Sequence, residues 1–337
     1  MRRFIALLII GLLVAGIGYT VVNYQFEQLA DGWRITRRTP VSNDPWIGES
    51  PIPVRTGETI KVATFNIQVF GRTKSSKPHV MDLLSRVVRE FDVVAIQEIR
   101  SRDDDIIPNF VDKINESGRH YDFIVGQREG RTKSKEQYAY IFDRETIEVD
   151  RSSVYSVQDP SKLLHRPPLV SLFRVRGPEQ DQAFTFSLVN VHIDPDEVGH
   201  EMGYMDDIFR RVRSDGREED DVILLGDFNA GDQQLASLAT KAGMNWVLRD
   251  HPTNVKRTQQ YDNIVFHQMS TTEFSGRGGI FDFVRKYNLT TEQAEEVSDH
   301  FPVWAEFSVY EGGQPGRVAT RPATSPVESD SVETIGR

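Results

Sequence analysis

Val222-Ile223-Leu224-Leu225-Gly226-Asp227-Phe228-Asn229 places four consecutive apolar residues ahead of a glycine, the pattern of a short buried strand. Asp227 and Asn229 follow as two oxygen donors, two residues apart, at the lip of a hydrophobic layer. A carboxylate in such a place is costly unless it finds a partner or a cation. Gly, Asp and Asn are also ordinary turn formers, so this stretch by itself allows a plain strand and turn. Its weight comes from recurrence, because the same grammar returns along the chain.

Working outward, Lys61-Val62-Ala63-Thr64-Phe65-Asn66 reads as a strand ending on Asn66, and Asp92-Val93-Val94-Ala95-Ile96-Gln97-Glu98 as one ending on Glu98. Tyr138-Ala139-Tyr140-Ile141-Phe142 and Leu169-Val170-Ser171-Leu172-Phe173 are further strands, as is the segment 184–192, which ends on His192. Tyr261-Asp262-Asn263-Ile264-Val265-Phe266 and the closing Ser298-Asp299-His300-Phe301-Pro302-Val303-Trp304 complete the series. Helical spacing appears in Val80, Leu83, Leu84, Val87, Val88 and Phe91, in Ile106, Ile107, Phe110, Val111 and Ile114, and around Met205, Ile208, Phe209 and Val212. Strands outnumber helices and some follow one another directly. A layered α/β protein with mixed sheets is therefore predicted, in preference to a strict βαβ repeat.

The chain has 337 residues, enough to bury a large core without staples. It has no cysteine, which excludes disulfides, thiolate metal sites and cysteine nucleophiles. A net charge of −10 excludes a basic protein that coats nucleic acid. It does not exclude a nuclease that concentrates carboxylates at its site. At the N-terminus, Arg2 and Arg3 precede a charge-free run over 5–22. Residues 1–23 are expected to be an uncleaved transmembrane anchor, with a cleaved secretion signal as the alternative. The arginines place the N-terminus in the cytoplasm and the remainder outside. Residues 24–57 carry Pro and Gly punctuation and are expected to be a linker or arm. Residues 311–337 are poor in large apolar side chains and are expected to be a disordered tail. One globular unit, 58–310, is left between them.

Asn66, Glu98, His192, Asp227, Asn229, Asp262, Asp299 and His300 all fall at the expected strand ends. Any one of them could be a turn residue or a satisfied core group. Together they suggest one polar crevice holding oxygen ligands and two histidines. Such ligands suit magnesium, manganese or calcium better than zinc. With a histidine to move a proton, they describe hydrolysis of a phosphate ester by activated water.

These residues carry a resemblance. Thr64-Phe65-Asn66-Ile67, Ile96-Gln97-Glu98-Ile99-Arg100, Val191-His192, Gly226-Asp227-Phe228-Asn229, Tyr261-Asp262 and Ser298-Asp299-His300-Phe301-Pro302 resemble the ordered signature of the endonuclease/exonuclease/phosphatase superfamily. Phe65-Asn66-Ile67-Gln68-Val69-Phe70-Gly71, the loop from Gly130-Arg131 to Lys135-Glu136-Gln137-Tyr138, and Phe281-Asp282-Phe283 resemble its deoxyribonuclease I branch. The likeness spans about 60–308. It implies a four-layer α/β/β/α sandwich, with two mixed β-sheets packed face to face and helices outside. It further implies that Glu98 is a principal metal ligand, with Asn66, Asp227, Asn229 and Asp299 completing one or two sites for Mg2+ or Mn2+. Structural Ca2+ is a further expectation of the resemblance. By the same likeness, Glu136 stands behind His192 and Asp262 behind His300 as catalytic pairs assisted by Asp227 and Asn229. Arg100 and Arg166 correspond to arginines near the scissile phosphate.

The chain departs from that branch at Gln68, where an arginine reading the minor groove is the family pattern, and at Ser134, where a tyrosine is; the branch's disulfides are missing too. Arg128, Arg131, Lys133 and Lys135 are the candidates to contact phosphate instead. The expected activity is that of a magnesium-dependent hydrolase, a DNA endonuclease with little sequence preference. The expected state is a monomer with DNA as substrate and no protein partner. The rivals are a sphingomyelinase or inositol-phosphate phosphatase of the same superfamily, and a non-catalytic binding module on a membrane stalk.

Overall fold

In the computed structural model of the chain, residues 24–29, 32–37 and 55–313 are described. The expected leader, 1–23, lies outside the described residues, as does the tail beyond Gly313. Among the described residues, no helix is long and apolar enough to cross a membrane. Within the stretch expected to be a linker, β1 (Tyr24–Leu29) pairs antiparallel with β2 (Gly32–Arg37), Tyr24 standing opposite Arg37. The alternation Tyr24-Gln25-Phe26-Glu27 is a short strand signal that the nearby Pro and Gly punctuation obscures.

Among the described residues, the unit that follows has twelve strands in two sheets of six. The first sheet is built from β3 (Thr59–Phe70), β4 (Val93–Ile99), β5 (Tyr121–Val125), β6 (Gln137–Asp143), β13 (Phe274–Ile280) and β14 (Val303–Ser308), in the order β13-β14-β3-β4-β6-β5. The second comprises β7 (Ile147–Ser156), β8 (Leu169–Val175), β9 (Thr185–His192), β10 (Val222–Asp227), β11 (Met244–Trp246) and β12 (Asp262–His267), ordered β11-β12-β10-β9-β8-β7. Each sheet is antiparallel except at one central pair: β3 with β4 in the first, β9 with β10 in the second.

The opening stretch explains the layering. Side chains alternate across a strand, so Ile223 and Leu225 enter the core between the sheets while Val222 and Leu224 enter the core under the outer helices. β3 divides in the same way: Ile60 and Val62 face the inter-sheet core, and Ala63, Phe65 and Ile67 face the other side. Helices α2 (Pro78–Val88) and α3 (Ile106–Asn115) cover the first sheet with Val80, Leu84, Val87, Phe110 and Ile114. Helices α5 (Met205–Arg213) and α6 (Asp232–Ala242) cover the second with Ile208, Phe209, Leu235 and Leu238. The result is the expected α/β/β/α sandwich. Short helices α1 (Arg72–Ser75), α4 (Val198–Glu201), α7 (Phe283–Lys286) and α8 (Thr291–Val297) occupy connections.

A polar pin crosses the inter-sheet core. Gln97 Nε2 donates to Asn190 Oδ1 at 2.6 Å and to Thr64 Oγ1 at 3.0 Å, and Asn190 Nδ2 donates to the Ile96 and Ala139 carbonyls. Every partner is buried, so the pin fixes one lateral setting of β9 against β4.

The closing stretch differs from its reading as one strand. β14 begins only at Val303, and Ser298 to Pro302 form a loop held by Val255 N donating to Asp299 O and Phe301 N donating to Thr253 O, both at 2.7 Å. Pro302 has no N–H for a ladder, and the polar residues before it bond to the site instead. Asn66 likewise lies inside β3 rather than at its end. The register shifts between Asn66 and Phe70 and, on β4, between Ile96 and Ile99. Val69 and Glu98 sit at φ +49° and +60° within these irregularities, which re-aim both strands.

Candidate active site

The loop-side ends of β9, β10 and β12 meet the bulged ends of β3 and β4, and Asp227 stands at the centre. Gly226 makes this possible: at φ +153° it lies so near β9 that an added Cβ would be 1.9 Å from the Val191 carbonyl oxygen. Asn66 Nδ2 donates to Asp227 Oδ2 at 2.9 Å and lies 3.4 Å from Glu98 Oε1. Asn229 N donates to Asp227 Oδ1 at 2.9 Å, and Asn229 Nδ2 donates to the Ile193 carbonyl. Two imidazoles flank the same carboxylate, His192 Nε2 at 3.7 Å and His300 Nε2 at 3.8 Å from Asp227 Oδ2.

Each imidazole has a carboxylate behind it. His192 Nδ1 donates to Glu136 Oε1 at 2.6 Å, and His300 Nδ1 donates to Asp262 Oδ2 at 2.8 Å. Burial opposes ionisation of Glu136, yet His192, Arg166 and Arg100 together hold its pKa down at about 2. Arg166 Nε is 3.0 Å from Glu136 Oε1 and also donates to the His192 carbonyl. Arg100 spans the gap between Glu136 and Glu98, 3.3 Å from each. Burial alone would lower both histidines. The carboxylates outweigh it: Glu136 and Asp227 raise His192, and Asp262, Asp227 and Asp299 push His300 up to about 10.

The oxygen inventory fits a divalent cation. Asn66 Oδ1 and Asp299 Oδ1 are solvent-excluded with no hydrogen-bond donor, and unpaired buried oxygens are expensive unless something positive meets them. Beside them stand Glu98 and Asp227, so the donor set is that of a hard cation. Asp227, Asp262 and His300 also come within 4.8 Å of one another. Asp262 Oδ2, however, already accepts from His300 and from Thr253 Oγ1 at 2.7 Å, so Asp262 serves the imidazole.

Of the residues singled out in the sequence, Asn66, Glu98, Arg100, Glu136, Arg166, His192, Asp227, Asn229, Asp262, Asp299 and His300 are brought together. Arg131 pairs its guanidinium with Glu197. Four residues had no assigned role in the site. Thr253 Oγ1 donates to Asp262 and accepts from the Tyr261 and Asp262 amides. Ser298 Oγ donates to the Asn66 carbonyl and accepts from His300 N. Gln68 Nε2 donates to Asp299 Oδ2 at 2.9 Å. Lys74, whose Nζ donates to the Val297 carbonyl, is driven down to about 8 by burial against the pull of Asp299 and Glu98. The Ser298-Asp299-His300 run and the quoted Gln68 were visible signals without a role; Thr253 and Lys74 carried none.

The family model described as the Endonuclease/Exonuclease/phosphatase family matches residues 63–300. The chain belongs to this family. Among its curated relatives, Deoxyribonuclease-1-like 1 of Mus musculus is 31% identical over 261 residues, covering 74% of this chain and 81% of that one. Deoxyribonuclease gamma of Homo sapiens is 28% identical over 269 residues, covering 75% and 87%. Solved structures share the endonuclease/exonuclease/phosphatase fold at lower identity. The catalytic domain of human Nocturnin superposes with a TM-score of 0.51 at 14% identity, covering 77% of this chain and 96% of its own. A family protein from Bacteroides vulgatus gives 0.51 at 15% identity, covering 74% and 99%.

Proposed function

We propose that this family member is a divalent-cation-dependent phosphodiesterase that cleaves DNA with little sequence preference. The observation carrying this reading is the convergence of two histidine–carboxylate pairs on Asp227, beside the orphaned Asn66 Oδ1 and Asp299 Oδ1. The relatives named as deoxyribonucleases support DNA as the substrate.

Glu98, Asn66, Asp227, Asn229 and Asp299 would hold Mg2+ or Mn2+. A cation bound there would offset phosphate charge and favour the nucleophilic form of water. The residues themselves do the rest. Glu136 and Asp262 fix Nδ1–H on both rings, which leaves both Nε2 atoms facing Asp227 and the substrate space. Between them, the imidazoles take the proton of the attacking water and return one to the leaving oxygen as its bond to phosphorus breaks. Arg100 and Arg166 supply positive charge at the Glu136 side, where phosphate oxygens gain charge during attack.

A lipid substrate would call for exposed apolar residues beside the crevice. Among the described residues, the exposed large hydrophobics are Val69 and Met269, with no aromatic cluster between them, so nucleic acid remains favoured. The charge-free run behind Arg2 and Arg3 supports delivery across a membrane and action outside the cytoplasm, to be tested by protease protection of fractionated membranes. The deciding assay is incubation with plasmid, sphingomyelin and inositol phosphates, with Mg2+ or with EDTA. Plasmid should be nicked and then degraded only with the metal. Hydrolysis of either other substrate with DNA untouched would refute the nuclease reading.

A further inference from the structure

A second cluster of carboxylates lies at the other end of β10. One oxygen each from Asp221, Glu273 and Glu311 falls within 4.8 Å of the other two, and Glu219 and Asp220 make a similar group with Asp221. Asp221 precedes β10 and is separated from Asp227 by six residues of extended chain, about 20 Å. It shares nothing with the crevice described above.

The backbone there is fixed by both sheets. Ser187 N donates to Asp221 O at 2.8 Å, Ser308 N to Glu273 O at 2.8 Å, and Glu311 N to Gln182 O at 2.9 Å. Asp221 and Glu273 are only 1% and 2% exposed, yet neither they nor Glu311 form an ion pair among the described residues. Some oxygens are occupied: Glu273 Oε1 accepts from Gly312 N and Thr272 Oγ1, and Glu311 Oε2 accepts from Thr185 N at 3.4 Å. Two are not. Asp221 Oδ1 and Glu273 Oε2 are solvent-excluded with no hydrogen-bond partner, and the buried Thr271 hydroxyl faces Asp221. Buried carboxylates so placed need either protons or a cation. Arg217 is held by Asp215, and Arg213 lies 3.8 Å from Asp220 in the neighbouring group.

We propose that Asp221, Glu273 and Glu311, with the Thr271 hydroxyl, hold a structural calcium ion that ties the two sheets together at the pole opposite Asp227. Three carboxylates and a hydroxyl offer up to seven oxygens in an irregular setting, which suits calcium. Magnesium demands a smaller octahedron and keeps its waters. Burial and mutual repulsion push Glu311 up to about 8 and Glu219 up to about 7, so protons are the competitor for the same oxygens. This site does not depend on the nuclease reading.

The test uses the full chain near pH 8 with CaCl2 alone, MgCl2 alone or EDTA, in wild type, Glu98→Gln and Asp221→Asn/Glu273→Gln. Calcium should raise the thermal midpoint by about 4 °C or more, as binding to the folded state alone requires. Glu98→Gln should keep that shift and the double variant should lose it. Calorimetric titration of Glu98→Gln with calcium should show a bound ion that the double variant binds at least about tenfold more weakly. If the double variant does not fold, Glu311→Gln, at a half-buried position on the last turn, must show the same weakening. Absence of calcium binding in Glu98→Gln, or binding undiminished in the cluster variants, would overturn the site in favour of protonated carboxyls.

Discussion

Asp227 Oδ2 accepts from Asn66 and lies under 4 Å from both imidazoles, so the residues around it should act as a unit. Glu98→Gln keeps volume and the hydrogen bond to Val69 N but removes anionic oxygen from the cation set. Phosphodiester hydrolysis should fall by at least about 100-fold, with the circular dichroism spectrum unchanged. His192→Ala and His300→Ala should each lower turnover about 100-fold or more. If they work together, the double variant should lose far less than the product of the two effects, as measured by kcat on a plasmid substrate. Near-normal turnover in either single variant would remove that ring from the proposed chemistry.

At the scale of elements, β10 and β13 mark the limits of what the sequence reveals. β10 is buried on both faces, so its apolar run is written without interruption. β13 is a mostly exposed edge strand reading Phe-Ser-Gly-Arg-Gly-Gly-Ile, where only Phe274 and Ile280 at its ends pack on the core and glycine hides the strand. The same logic governs the site. Residues that end buried strands, such as His192 and Asp227, were legible, whereas Thr253 acts from a loop and supports Asp262 only through the folded geometry. Glu219-Asp220-Asp221 looks like a solvated acidic turn until the Glu273 and Glu311 segments are packed on it. Gly226→Ala should cost about 3 kcal/mol or more in urea unfolding, since the new methyl must displace the Val191 carbonyl on a central strand. On the loop before β6, neutralising Arg131, Lys133 and Lys135 together should weaken DNA binding for every sequence. The log–log salt slope should flatten by about 2 to 3, and hydrolysis of a small phosphodiester should persist. Arg131 should contribute least because Glu197 already holds it.

For the whole molecule, the acidic pole sets a pH dependence whose sign follows from proton affinity. Glu219 and Glu311 ordinarily titrate near 4.5 but are raised to about 7 and about 8 in the fold. The folded state therefore keeps protons that the unfolded state releases. Their stabilising contribution is complete below about pH 4.5 and drains away as pH rises to about 8. In EDTA the thermal midpoint should fall across that window, and Asp221→Asn should flatten the fall. That comparison separates the cluster from Asp92, Asp262 and His300, which are raised as well. The order of the first sheet carries one more consequence. β3 pairs with β4 on one side, but its other side is closed only by β14, which lies some 230 residues later. A polypeptide emerging from the ribosome thus carries an open edge on β3 until β14 follows it. Because Asp299 and His300 arrive with that last strand, the proposed site is incomplete until the same step seals the sheet.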